Sequence, residues 1–121
     1  MTPLGLTRPE LAQALGRYRL RLHALIHELS LERPSYVHSA TYSELETLSQ
    51  SLEVDLEVRE SEPGQERMSA LESDVLVPLL RQLHVELGAL LHTRPSKGWL
   101  APLRAADELV AGVERNLAGH H

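Results

Sequence analysis

Leu11-Ala12-Gln13-Ala14-Leu15-Gly16-Arg17-Tyr18-Arg19-Leu20-Arg21-Leu22-His23-Ala24-Leu25-Ile26-His27-Glu28-Leu29 is the stretch that decides the fold. Within it Leu11, Leu15, Tyr18, Leu22, Leu25 and Leu29 recur at intervals of four, three, four, three and four. Helical residues turn by about 100° each, so this spacing draws the six side chains into one line. Such a line is driven out of water and must face other helices, in this chain or in a second one. Leu20, Ala24 and Leu31 run beside it as a second apolar line. Two adjoining lines predict a helix covered on two sides, and these three residues are expected at an interface.

The rest of the chain reads the same way. Thr7-Arg8-Pro9-Glu10 has the form of a capping box with a proline in the first turn, so the first helix is expected to start at Thr7 and run to about Arg33. Pro34 disfavours helical geometry in the residue before it. Thr41-Tyr42-Ser43-Glu44 reads as a second capping box, followed by Leu45, Leu48, Leu52 and Leu56 at helical spacing. Leu52, Val54, Leu56 and Val58 also alternate with polar residues, as in a strand. A helix is the preferred reading, because a lone strand has no partner to pair with unless it pairs across a dimer.

A third helix is expected from about Glu66 to His92, on the line Leu71, Val75, Leu79, Leu83, Leu87 and Leu90, kinked or restarted near Pro78. The last helix begins near Trp99 or Leu100 and buries Leu100, Leu103, Ala106, Val110, Val113 and Leu117. The expectation is an all-α, approximately four-helix up-down bundle forming a single domain over residues 1–121.

Composition agrees. Of the 121 residues 42% are hydrophobic and 3% aromatic, Phe is absent, and leucine dominates the apolar set. There is no cysteine, which excludes disulfide scaffolds, thiolate zinc sites and thiol catalysis. No apolar run reaches membrane-spanning length, and Met1-Thr2-Pro3-Leu4-Gly5-Leu6 lacks the features of a signal peptide, so a cytoplasmic protein is expected. His120 and His121 read equally as native residues or as the remnant of a purification tag, and no site is built on them.

The net charge of −5 is unevenly spread. Residues 1–43 hold five Arg against three Glu (+2), residues 44–74 ten acids against two Arg (−8), and residues 75–121 five bases against four acids (+1). The acidic middle fits a solvated helix face, or a surface for a basic partner. This distribution is not the footprint of a general nucleic-acid binder.

Three candidate sites follow from spacing. His23 and His27, four apart on one helix, present two imidazoles to one side; with His84, and with His92 and a carboxylate such as Glu28 or Glu86, they form a candidate metal set. Ala12 and Gly16, with Leu22 and Leu25, resemble a bacterial helix-turn-helix over residues 7–29, which implies that Arg17, Arg19 and Arg21 approach DNA. That resemblance departs from the motif at Arg17, which stands in a usually apolar turn position. Trp99, the only tryptophan, either anchors a partner or plugs one end of the bundle.

His84-Val85-Glu86-Leu87-Gly88 resembles the segment around the phosphorylated histidine of histidine phosphotransfer domains, which are also four-helix bundles. The resemblance implies a phosphate-accepting His84. It departs from the family at Leu87, where a lysine usually precedes the glycine. No Gly-rich phosphate loop, Gly-x-Ser-x-Gly elbow or His-Glu-x-x-His motif occurs. The function expected is therefore non-catalytic, with no cofactor: a protein-interaction, assembly or adaptor module that self-associates as a homodimer or binds a protein partner. A DNA-binding regulator and a metal-binding bundle are the alternatives.

Overall fold

The computed structural model describes residues 7–31, 39–61 and 69–119. Among them are four helices and no strand. Helix α1 spans Arg8–Ser30 and α2 spans Ser39–Glu60. A π-helical turn at Glu72–Leu76 leads directly into α3, Val77–Leu90. A 3-10 turn, Lys97–Trp99, opens α4, Leu100–Gly119. Each helix packs on the next, and α4 closes the ring against α1. The α1–α4 and α2–α3 contacts are broad, whereas α1–α2 and α3–α4 are narrower. Cross-helix pairs fix the directions: Tyr18 meets Asp55 and Arg21 meets Ser51, while Arg8 meets the Leu117 carbonyl. Neighbouring helices are thus antiparallel, as short connections require.

The core is built mostly of leucine. Leu11, Leu15, Leu22, Leu25 and Leu29 are buried against Leu45, Leu48, Leu52, Leu80, Leu83, Leu87, Leu103 and Val110. Each buried leucine contributes about 1.5–3 kcal/mol relative to exposure. Tyr18, the one polar member of the line, is half-buried.

The capping box at Thr7 forms as expected. The Thr7 hydroxyl accepts from the Glu10 amide at 3.4 Å, and the Glu10 carboxylate accepts from the Thr7 amide at 3.2 Å. At the other end α1 stops at Ser30, short of Arg33, because Leu31 turns extended (ψ 147°) and gives its amide to the Glu28 carbonyl. Arg33 and Pro34 lie outside the described residues. The second expected capping box is corrected: α2 already runs from Ser39, so Thr41 lies inside the helix. Thr41 shares the inward face with Leu45, Leu48 and Leu52 and is buried with them.

Residues 52–58 are helical. Their alternation splits across the helix, with Leu52 buried, Leu56 half-buried, and Val54 and Val58 exposed. The expected start of the third helix near Glu66 lies outside the described residues. Ser69 caps the described part: its hydroxyl accepts from the Glu72 amide at 3.2 Å. The irregularity expected at Pro78 appears just before it, as the π turn, where the Val77 amide reaches back to the Glu72 carbonyl. Proline has no amide for the carbonyl four residues earlier and its ring crowds that group, so a wider turn upstream relieves both problems.

Candidate functional site

The narrow α1–α2 contact leaves an open face. A groove of about 550 Å³ lies between the C-terminal half of α1 and the N-terminal half of α2. Leu25 and Leu48 reach its floor, Leu20, Ala24 and Ala40 its walls, and Arg21, Glu28 and Glu44 its edges. Leu20 is 70% exposed, and Ala24 and Ala40 are exposed too. The second apolar line of α1 is therefore uncovered within this chain; Leu31 at its end is half-buried. Val54 and Val58 are also exposed, farther along α2 beyond Thr47, Gln50 and Ser51.

Toward the other end of the same two helices the surface turns polar. A recess of about 580 Å³ is lined by Glu10, Gln13, Arg17, Tyr18, Arg21, Ser51, Asp55 and Arg59, among others. Three of its groups form a connected network with Glu72. Tyr18 donates to Asp55 at 2.7 Å, Asp55 pairs with Arg59 at 2.9 Å, and Arg59 reaches the buried Glu72 of the π turn. Burial raises the Tyr18 phenol well above its usual pKa, and the Asp55 hydrogen bond adds to this. Sequence spacing did not reveal this chain, which joins α1, α2 and the π turn. Its one readable sign is Ser69-Ala70-Leu71-Glu72, the form of a capping box.

The proposed metal histidines are not brought together. His23 faces α4, with Nε2 3.0 Å from Asp107, while His84 faces α2, with Nε2 4.0 Å from Glu53. His27 and His92 are exposed. Since α1 borders α2 and α4, His84 on α3 is across the bundle from the other two. Among the described residues no three His, Asp or Glu side chains are placed to hold a metal ion.

The helix-turn-helix reading is corrected by continuity: α1 passes through Gly16–Arg19 without a turn. Its three arginines diverge. Arg17 is exposed, Arg21 donates to Ser51 at 3.1 Å, and Arg19 binds Asp107 at 2.9 Å with Glu114 at 3.6 Å. Burial works against the Asp107 charge, but hydrogen bonds from Arg19 and His23 prevail and hold its pKa below the usual value.

Trp99 is corrected as an interface residue, being only 2% exposed. Its indole donates to Thr93 Oγ1 at 2.7 Å, and its ring lies 6.3 Å from that of Tyr42, whose hydroxyl donates to the Leu91 carbonyl at 2.9 Å. Together these residues plug one end of the bundle. His84 is half-exposed, but Leu87, at the position where phosphotransfer domains carry lysine, is in the core.

Among the described residues no helix is long and apolar enough to cross a membrane. The chain matches no protein family, no curated protein and no solved structure.

Proposed function

We propose that this chain is a non-catalytic helical interaction or assembly module, and that the α1–α2 face is its binding surface. One observation carries the proposal: Leu20 and Ala24 stand exposed beside a groove of about 550 Å³ whose buried lining is Leu25, Leu48 and Thr41. Contiguous exposed apolar surface with a charged edge marks a contact site. The non-catalytic reading is supported by the polar recess beside the groove. Its Tyr18, Asp55 and Arg59 are engaged with each other and with Glu72, as in a structural network. The setting proposed is the cytoplasm, where a cysteine-free helical domain needs no oxidising environment.

Affinity purification from the native host tests this reading, with the wild-type chain and Leu20→Asp as parallel baits. The expected result is a bound protein, a copy of the chain included, that wild type retains and Leu20→Asp loses. Identical sets on both baits would overturn the assignment of this surface.

A further inference from the structure

We infer that the occupant of the α1–α2 groove is a second copy of this chain, docked about a two-fold axis that passes beside α1, level with the turn between Arg21 and Ala24. This inference rests on the interaction reading above and adds the partner and its register.

The argument is one of symmetry and charge. Arg17, Leu20, Arg21, Ala24 and Glu28 share one stripe of α1, at helical offsets of zero, three, four, seven and eleven. Arg17 and Glu28 stand at the two ends of the stripe, with Leu20, Arg21 and Ala24 between them. One end is basic, with exposed Arg17; the other is acidic, with Glu28 and, across the groove on α2, exposed Glu44. A two-fold contact matches a surface with itself, so it needs a patch whose opposite ends are complementary. Laying two copies of α1 antiparallel across an axis between Arg21 and Ala24 sets Arg17 of one copy against Glu28 of the other. The same operation brings Leu20 over the groove at whose floor Leu25 lies, and sets Arg21 level with Ala24. Both acid–base contacts form at once and Leu20 of each copy closes over the groove of the other, while each Arg21 is held toward Ser51 of its own α2. A parallel arrangement would instead set like charges against like, at a cost in affinity.

The α2 helix supports the same arrangement. Ala40 and Glu44 flank the acidic end of the stripe, while Val54 and Val58 continue beyond its basic end. The interface would then be four helices deep, two from each copy. The narrow α1–α2 contact leaves the groove into which Leu20 of the second copy fits.

The test is sedimentation velocity of the full chain over a concentration series, with far-UV circular dichroism as the control for folding. Wild type is expected to dimerise. Leu20→Asp changes a residue that is exposed in the single chain, so the fold should persist, while burying its carboxylate at the interface raises the dissociation constant by about tenfold or more. Arg17→Glu should weaken the dimer by setting acid against acid, as should Glu28→Arg by setting base against base. The combination Arg17→Glu with Glu28→Arg restores opposite charges and should recover most of the lost affinity. Because the chain has no cysteine, Leu20→Cys adds a direct readout: a short bismaleimide should link two copies, whereas Ala105→Cys on the exposed side of α4 should give no link.

A monomer at every concentration overturns the inference. So does a dimer indifferent to Leu20→Asp, or a double charge reversal that fails to recover. If wild type is monomeric yet loses a different bound protein on Leu20→Asp, the second copy is ruled out and the interaction reading stands.

Discussion

Tyr18 on α1 donates a 2.7 Å hydrogen bond to Asp55 on α2, and this pair is the main polar tie across the more open side of the bundle. Asp55 also holds Arg59, which passes the connection to Glu72 in the π turn. One phenol thereby links three segments that the apolar core holds together only from inside. The tie sits immediately beside the apolar groove, midway along α1 where Arg17 and Arg21 emerge. It holds the two helices in register while leaving their outer faces free to make contacts.

Tyr18→Phe should lower stability by about 1 kcal/mol at neutral pH, the usual net worth of such a hydrogen bond. The pH dependence identifies the cause. The folded state favours the protonated phenol, so its contribution is complete below the ordinary tyrosine pKa of about 10 and is lost as pH rises through the higher folded value. The gap between wild type and Tyr18→Phe in urea denaturation should therefore close between mildly and strongly alkaline pH. A gap that stays constant would show that Tyr18 contributes through packing alone.

Asp107 behaves in the opposite sense. Its folded pKa is depressed, so its pairing with Arg19 and His23 stabilises the chain above the ordinary carboxylate pKa and fades as pH falls through the folded value. Asp107→Asn should cost about 1.5 kcal/mol at pH near 7, the lower end for hydrogen bonds to charged groups because Arg19 and His23 are partly exposed. Wild type and variant should converge in denaturation midpoints at strongly acidic pH.

Gly16→Ala should stabilise the protein by about 1 kcal/mol, since glycine in a helix interior costs that much relative to alanine. The added Cβ meets no atom within 4 Å, so the gain is not offset by a clash. A raised midpoint in thermal denaturation is expected. A lowered one would place a bend at Gly16 that a continuous α1 does not have.

Trp99 is the plug of the bundle end, and its removal should be the most damaging of these changes. Trp99→Ala should destabilise by about 3–5 kcal/mol, as for large aromatic residues in cores. Trp99→Phe keeps much of the volume but loses the hydrogen bond to Thr93, and should cost far less. As the only tryptophan, Trp99 also reports on itself: its fluorescence should be blue-shifted in the native protein and shift red on unfolding.

Much of the architecture was legible because helical periodicity and capping are local properties. The line from Leu11 to Leu29 specified a continuous helix through Gly16, and that continuity also removes the helix-turn-helix reading. Thr7 and Glu10 marked the first residue of α1 by their own hydrogen bonds. Thr41 misled, because a capping pattern of residue types is also met inside a helix, where Thr41 is turned to the core. Pro78 announced an irregularity; it takes the form of a π turn, whose Glu72 meets Arg59 of α2.

The candidate sites were less legible, because each depended on which helices became neighbours. His23 and His27 share a helix face by spacing alone, but whether His84 could join them rested on its helix lying adjacent to α1 or across the bundle. Trp99 looked equally suited to a surface or a core until the end of the bundle closed around it with Tyr42 and Thr93. By itself, the sequence determined that this chain makes long amphipathic helices and that α1 carries more apolar surface than one neighbour needs. Only the tertiary structure decided that α4 and α2 cover the inner line and leave Leu20 and Ala24 in water. The physical reason is that periodicity along a chain fixes each helix face relative to its own axis, whereas the covering of a face depends on how the helices pack together.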